Sequence, residues 1–494
     1  MSELKKKKIR EFWPKEIFFI LACVGAAVGV GNLWRFPYMA YENGGGTFLI
    51  PYLICMLLIA LPIMLLEIIM GKKGNSIATA FQNINKRWTW IGWWALINSL
   101  VILFYYSVVL AWSIEYIFYS FSEAWGKDPA SFFLDKVVKM SDGPFQLGGI
   151  NLATVLALAL VWGGVYLISR SKTKTLSKIL LITVPLPAIL LIVFIFENFT
   201  MPGSKNGVAY FLRPQSGKMF NISVWAAAAS QVMLSMSLGM GQVIAYASRR
   251  KQDSALIKSG ITICCFDVFF SLLAGITVFS TMGFLAHSAG VNISDLKLDG
   301  IFLAFVSYPM AISNLPFAPL WGIIFFVILV SLGIDSVFAA VEAIVAGCDD
   351  LSARTKSKSI LAGIICLLGF GGSLIFTTGS GLYWLDIIDH WIAYYSIAAI
   401  VILECIIFGQ FTLTKFTLNN TISLKKVYLL KIAKVIIVYF IPIILIFVFG
   451  SKFINEFSGW YSGYSPSSII IGGWGVMLLS IIAGVIMSIR HNKK

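Results

Sequence analysis

Histidine is nearly absent, with three residues in 494, at 287, 390 and 491. None stands at ligand spacing from a partner, so no transition-metal site is expected. The seven cysteines, at 23, 55, 264, 265, 348, 366 and 405, form neither a metal nor a redox spacing. Most lie in apolar runs, where Cys acts as a small hydrophobe. Charge is scarce as well. Charged residues make up 12% of the chain, where soluble domains carry about a quarter. An ordinary soluble domain is thereby excluded. Without clustered acids, a histidine cluster or an activated nucleophile, an enzyme is not expected either.

What the chain has instead is apolar sequence, 58% of it. Runs of about 20 residues, enough to cross a bilayer, recur along the whole length. They predict about twelve spans, at 15–40, 47–71, 89–121, 152–169, 176–197, 222–248, 256–284, 316–347, 359–377, 382–412, 427–451 and 467–489. No block between them exceeds a loop, so residues 1–494 read as one membrane domain. The net charge of +15 does not call for nucleic acid, because the basic residues sit between apolar runs. They cluster before the first span (5–10) and after the second (Lys72, Lys73, Lys86, Arg87), fourth, sixth, eighth, tenth and twelfth. The other connections are poor in Lys and Arg. This alternation places both termini, including segment 1–14, in the cytoplasm of a multi-pass cell-membrane protein. An even number of spans agrees. The first run lacks a small-residue cleavage pattern and is not a cleavable signal.

Two spans are interrupted, the first at Gly25 to Asn32 (GAAVGVGN) and the sixth at Ser237 to Gly241 (SLGMG). Clustered glycines weaken a membrane helix. The interruptions lie five spans apart, an odd number, so a second five-span unit would run inverted relative to the first. Inverted repeats with helices broken near the midplane mark carriers; close helix packing through small residues is the plainer explanation of either break alone. Ionisable residues inside spans each ask for a reason. The candidates are Arg35, Glu67, Asp267, Asp335, Glu342, Asp389 and Glu404. Glu67 and Glu404 read as interhelical hydrogen bonds. Asp335 beside Ser336, and Asp267, suit a hard cation such as sodium, which takes oxygen ligands including carbonyls freed by a broken helix. A proton relay is the competing function for these acids. A channel would want a repeated polar face or a filter segment, and neither is visible.

Several motifs are more specific. They are Arg10 to Trp13 (REFW), Gly25 to Pro37 (GAAVGVGNLWRFP), Glu42 to Gly46 (ENGGG), Gln231 to Gly241 and Leu332 to Ser336 (LGIDS). In order and along essentially the whole chain, they resemble the neurotransmitter:sodium symporter family, in its prokaryotic amino-acid carrier branch. The resemblance implies an all-α membrane protein with the leucine-transporter-like fold. Spans within 15–197 and 222–412 would form the two inverted repeats, helices 1 and 6 would be unwound, and 427–489 would add two helices. The implied function is sodium-coupled import of an amino acid by alternating access.

Carried over by position, one sodium would be held by the carbonyls of Gly25, Val28 and Leu332 with the side chains of Asp335 and Ser336. The other would be held by the Ala27 carbonyl, Asn32, Ser235, Asp267 and the substrate's carboxylate. That carboxylate would also meet the Gly31 amide, at a half-helix N-terminus that favours anions, and the Tyr106 hydroxyl. The ammonium would face the carbonyls of Ala27, Leu234 and Ser235. Ala26, Gly29, Ile102, Tyr106, Leu234, Ser237, Met240, Ser336 and Ala340 would complete the pocket. Gly29 stands where monoamine carriers have an Asp, so a substrate bringing its own carboxylate is expected. The mostly apolar lining favours a hydrophobic or aromatic side chain. Asp267 replaces the Asn of chloride-dependent members while Ser271 is kept, which implies no chloride requirement. Arg35 and Asp389 would form an outer gate; Arg10, Asp350 and Trp13 an inner one. Leu234 replaces the usual aromatic lid, and Arg249 the usual inner-gate Tyr. A betaine or small ω-amino acid substrate, proton coupling, and a non-transporting sensor of the same fold remain open.

Overall fold

In hydrocarbon every backbone polar group must be satisfied within the protein, which leaves helices as the natural way to use such apolar runs. The computed structural model describes residues 11–214, 217–250, 256–296, 300–352, 357–411, 432–458 and 460–493. Among them there is no strand, and the chain is a bundle of helices. Ten helices are long and apolar enough to cross a bilayer: Gly46–Lys73, Lys86–Ser120, Leu152–Ser169, Thr173–Asn198, Leu256–Ala289, Ala318–Leu351, Lys358–Thr377, Gly381–Phe411, Ile432–Ile454 and Pro466–Asn492. A bent pair, Glu16–Ala27 and Val30–Glu42, makes an eleventh. The expected sixth span exists as two helices, Ile222–Ser235 and Gln242–Ala247, each too short to cross by itself. The start of the expected eleventh span, 427–431, lies outside the described residues.

Both interruptions are real departures from helix. In the first span, Val28 (φ −82°, ψ 98°) and Gly29 (φ −123°, ψ −173°) are extended, and the two halves meet at 60°. In the sixth, Ser237, Gly239 and Gly241 take φ of 52°, 69° and 78°. Glycine adopts this left-handed region without the Cβ penalty that other residues meet. At Gly241 a Cβ would also stand 2.9 Å from Ile77 Cγ2, so backbone conformation and space both require glycine there.

The breaks are tied to each other. The Ser237 hydroxyl, from the left-handed turn of the sixth span, donates to the Ala26 carbonyl at 2.8 Å. The frame around them is the pair of long helices Lys86–Ser120 and Ala318–Leu351, the third and eighth spans. They approach closely because small residues face large ones. A Cβ on Gly333 would lie 2.1 Å from Leu110 Cδ2, and one on Gly347 2.5 Å from Leu96 Cδ1. The third span also fixes the sixth break, since Ser99 Oγ donates to the Met240 carbonyl at 3.0 Å.

Candidate functional site

Backbone groups released at a helix break need partners, and the partners found here build two polar clusters on either side of the first break. In one, Asn32 closes the break on itself: its Oδ1 accepts the Gly29 amide at 2.9 Å. Its Nδ2 reaches Asp267 Oδ1 (3.1 Å), Ser235 Oγ (3.1 Å) and Ser271 Oγ (2.9 Å). Ser235 donates to Asp267 Oδ1 at 2.5 Å, and Tyr52 donates to Asp267 Oδ2 at 3.2 Å and to Ser271 at 3.1 Å. Asp267 is fully buried. Four helices thus converge on one carboxylate, and the pocket wall they form is rich in oxygen. Such a donor set suits a hard monovalent cation and no soft metal.

The second cluster joins the first and eighth spans. Ser336 Oγ stands 3.4 Å from the Gly25 carbonyl and 3.5 Å from that of Ala26. A Cβ on Gly25 would lie 3.2 Å from Asp335 Oδ2, so the carboxyl faces the Gly25 backbone directly. Thr183 of the fifth span is the hydroxyl neighbour of Asp335. Val28, at the break, and Leu332, one turn before Ser336, are both buried.

Between the clusters lie the residues expected to take an organic substrate. The Val30 amide donates to the Tyr106 hydroxyl at 3.0 Å. Gly29 is boxed in: a Cβ there would stand 2.8 Å from Ser336 Oγ and 2.9 Å from the Tyr106 oxygen. Gly31 borders open space, since a Cβ would meet nothing within 4 Å. Ala26, Ala27, Ile102, Ser235, Ser237, Met240 and Ala340 are buried, and Leu234 is half-buried.

The two ends of the bundle differ. On the side carrying Trp13, charges are paired. The Trp13 amide donates to the Arg249 carbonyl (3.0 Å) and its indole N–H to the Tyr246 carbonyl (2.9 Å). Glu342, fully buried, receives Arg249 Nη2 and Lys358 Nζ, each at 2.7 Å. Arg250 pairs with Glu16 at 2.6 Å. Just outside the spans, the Thr173 amide donates to Glu11 Oε2 (2.8 Å) and holds that carboxyl below its ordinary range. Asp350 accepts from Asn75 (2.8 Å), Ser76 (3.0 Å) and Thr79 (2.6 Å); Arg10 lies outside the described residues. At the other end, Arg35 and Asp389 do not form an ion pair. Asp389 accepts the Tyr105 hydroxyl at 2.6 Å, and Arg35 Nη2 donates to Ser230 at 3.2 Å, leaving its buried Nη1 without a partner.

A family model, described as the sodium:neurotransmitter symporter family, matches residues 10–128 and 127–494. This chain belongs to that family. It is a multi-pass membrane transporter of a sodium-dependent family. Among relatives, it is 36% identical over 492 residues to an uncharacterized sodium-dependent transporter of Methanocaldococcus jannaschii, covering 98% of this chain and 99% of that one. It is 32% identical over 420 residues to the sodium- and chloride-dependent GABA transporter 2 of Mus musculus, covering 78% and 70% of the two chains. Against the sodium- and chloride-dependent glycine transporter 2 of Xenopus laevis it is 30% identical over 550 residues, covering 97% and 69%.

Some neighbours of this symporter's clusters are silent in sequence. Tyr52 lies in an apolar run, where a Tyr reads as packing or an interfacial anchor; its hydroxyl reaches Asp267 across 215 positions. Lys358 reads as a loop charge, and Arg249 stands out only for replacing an inner-gate Tyr; that both end on Glu342 has no signal. Thr183 carried no signal beyond being a hydroxyl in a span.

Proposed function

We propose that this symporter carries a hydrophobic or aromatic amino acid into the cell on a sodium gradient, by alternating access, with two sodium ions and no chloride. The observation that carries this reading is the buried Asp267 carboxylate, in hydrogen-bond contact with Asn32, Ser235 and Tyr52 at the break of the first span. A sodium held there by Asn32, Ser235, Asp267 and the Ala27 carbonyl meets a fixed negative charge. Chloride is then not required to supply it. The second sodium takes Asp335, Ser336 and the carbonyls of Gly25, Val28 and Leu332.

The amino acid sits between the two clusters. Its carboxylate meets the first sodium, the Gly31 amide and Tyr106, in the space that Gly31 borders. A ligand shared between ion and substrate makes their affinities reciprocal: each tightens the other by the same factor. Gly29 leaves no room for an acidic side chain of the protein, which favours a zwitterion over an amine without a carboxylate. The side chain lies against Ile102, Leu234, Met240 and Ala340, where apolar burial gains about 25 cal/mol per Å².

The pairing of charges around Trp13, Arg249, Glu342 and Lys358, together with the unjoined Arg35 and Asp389, supports a form closed on the cytoplasmic side. Import then requires Arg35 and Asp389 to close over the substrate, and the Glu342 pairs to release. Equilibrium binding of labelled leucine and tryptophan to the purified protein, in sodium gluconate against potassium gluconate, tests the reading. Binding in sodium alone, displaced by other hydrophobic amino acids, supports it. Better displacement by GABA or betaine would refute the substrate class, and chloride-dependent binding would refute the role of Asp267.

A further inference from the structure

A polar cluster beside Asp389 belongs to neither sodium set nor the substrate pocket. Its centre is Glu456, on helix Ile441–Ser458 at the end of the eleventh span. Three side chains gather round its carboxylate. His390 Nε2, next in sequence to Asp389, stands 3.1 Å from Oε1 and 3.0 Å from Oε2. The Tyr395 hydroxyl donates to Oε2 at 2.7 Å. Lys452 Nζ, one turn back on the same helix, lies 4.0 Å from Oε1 and over the Tyr394 ring. The Glu456 side chain is 15% exposed and that of His390 7%, so a charge left unpaired on either would be costly.

Local structure brings these groups together. Residues His390–Ser396 form a π-helical segment within the tenth span. In an α-helix, residues five apart point about 140° away from each other. Bonding from i to i+5 sets them one above the other, and His390 and Tyr395 both reach Glu456. One turn earlier, Asp386 accepts the hydroxyls of Tyr461 at 3.0 Å and Tyr464 at 2.9 Å, from the connection to the twelfth span. The Tyr461 ring also stacks on His390, with centroids 3.7 Å apart. A single turn of helix, 386–390, is thus bound by Glu456, Tyr461 and Tyr464. Asp389 lies within that turn and accepts Tyr105 of the third span.

We propose that Glu456 and His390 are positioning residues of the outer gate. Their pair fixes the turn that carries Asp389, and so sets how tightly Arg35 and Asp389 close over a bound amino acid. The inference rests on the reading that those two residues close over the substrate. Arg35 Nη1 is buried without a partner, so it has a donor to give once Asp389 is within reach. A carboxylate that must meet a guanidinium fork gains from a backbone already held in place, because the ordering is complete before the substrate arrives. Releasing the turn adds conformational freedom to the open form. Closure then weakens with no sodium ligand or pocket wall altered.

Equilibrium binding of labelled leucine and tryptophan to the purified full-length protein in sodium gluconate tests this through a double-mutant cycle. Glu456→Gln, which loses the charge and keeps the shape, is expected to weaken binding roughly three- to tenfold. In the Asp389→Asn background the same change should weaken it less than about twofold, because the residue through which it acts is already altered. Equal losses in both backgrounds, or no loss in the wild-type background, overturn the proposal. Amide exchange of the protein in potassium gluconate should speed at 386–390 in Glu456→Gln, and unchanged exchange there overturns the proposal whatever the substrate. Should Glu456→Gln fail to fold, Tyr395→Phe, which removes one donor from Glu456, takes its place in both measurements, with the same outcomes in smaller measure. Absence of sodium-dependent binding by wild type overturns the transport reading beneath, and the exchange result then decides whether the pair holds the turn.

Discussion

Replacing Asp267 by Asn removes one negative charge and keeps the shape of the side chain. The carboxylate accepts from Ser235 at 2.5 Å, Asn32 at 3.1 Å and Tyr52 at 3.2 Å. A cation liganded by Asn32 and Ser235 stands within about 4 Å of it, where a unit charge pair gains roughly 4 kcal/mol at an effective dielectric near 20. The amide dipole of Asn recovers part of that, leaving a net loss of about 2–4 kcal/mol, or roughly thirtyfold to a thousandfold in sodium affinity. Chloride should restore much of it, because Tyr52, Ser271 and the new Asn amide would all donate to an anion in that space. The assay is a sodium titration of labelled leucine binding, in gluconate and in chloride. Wild type should give one curve in both salts. Asp267→Asn should give a strongly weakened curve in gluconate and a nearer one in chloride. A variant with wild-type sodium affinity in gluconate would refute the reasoning, since the fixed charge would then contribute nothing to the ion.

Gly29→Val places carbons where Ser336 Oγ and the Tyr106 oxygen already lie, at 2.8 and 2.9 Å from a bare Cβ. Overpacking of this kind costs about 1–3 kcal/mol, so leucine affinity should fall roughly five- to 150-fold while the protein still folds, as checked by its melting transition. Glu342→Gln leaves Arg249 and Lys358 without the buried acid they share. Both cations are partly exposed, 17% and 31%, so the usual loss for a broken buried pair is reduced to about 1–3 kcal/mol. Amide exchange at Trp13 should speed five- to 150-fold; unchanged exchange would mean the pairs do not hold the Trp13 side closed. Ser237→Ala deletes the bond to the Ala26 carbonyl, a loss of about 1 kcal/mol, and should weaken substrate roughly fivefold in the binding assay.

The architecture was readable because membrane helices are written in local sequence. Apolar runs of bilayer length predicted the spans, and clustered glycines predicted both breaks. Gly239 and Gly241 sit at positive φ, which is what such a cluster signals. Contacts between distant residues were much less legible. Ser237 reaches Ala26 across 211 positions and Tyr52 reaches Asp267 across 215, and no periodicity encodes such distances. The nominated acids Asp267 and Asp335 each lie among oxygen-bearing neighbours, with Asn32 and Ser235 beside the first and Ser336 following the second. Arg35 and Asp389 were named as a pair, and the structure gives each a different partner, Ser230 and Tyr105. On the proposed alternating access, Arg35 and Asp389 would exchange these partners as the carrier changes form. Glu67 makes the interhelical hydrogen bond expected of it, to the Gly239 amide, whereas Glu404, read the same way, is buried with neither oxygen hydrogen-bonded.

The central claim is that sodium drives an amino acid through this protein. Reconstitution into proteoliposomes and uptake of labelled leucine and tryptophan, with and without an inward sodium gradient in gluconate, tests it most directly, with Asp335→Asn and Asp267→Asn alongside. The account predicts concentrative uptake only with the sodium gradient, without chloride, and its loss in both variants. Uptake or binding that ignores sodium across a broad panel of amino acids would contradict it.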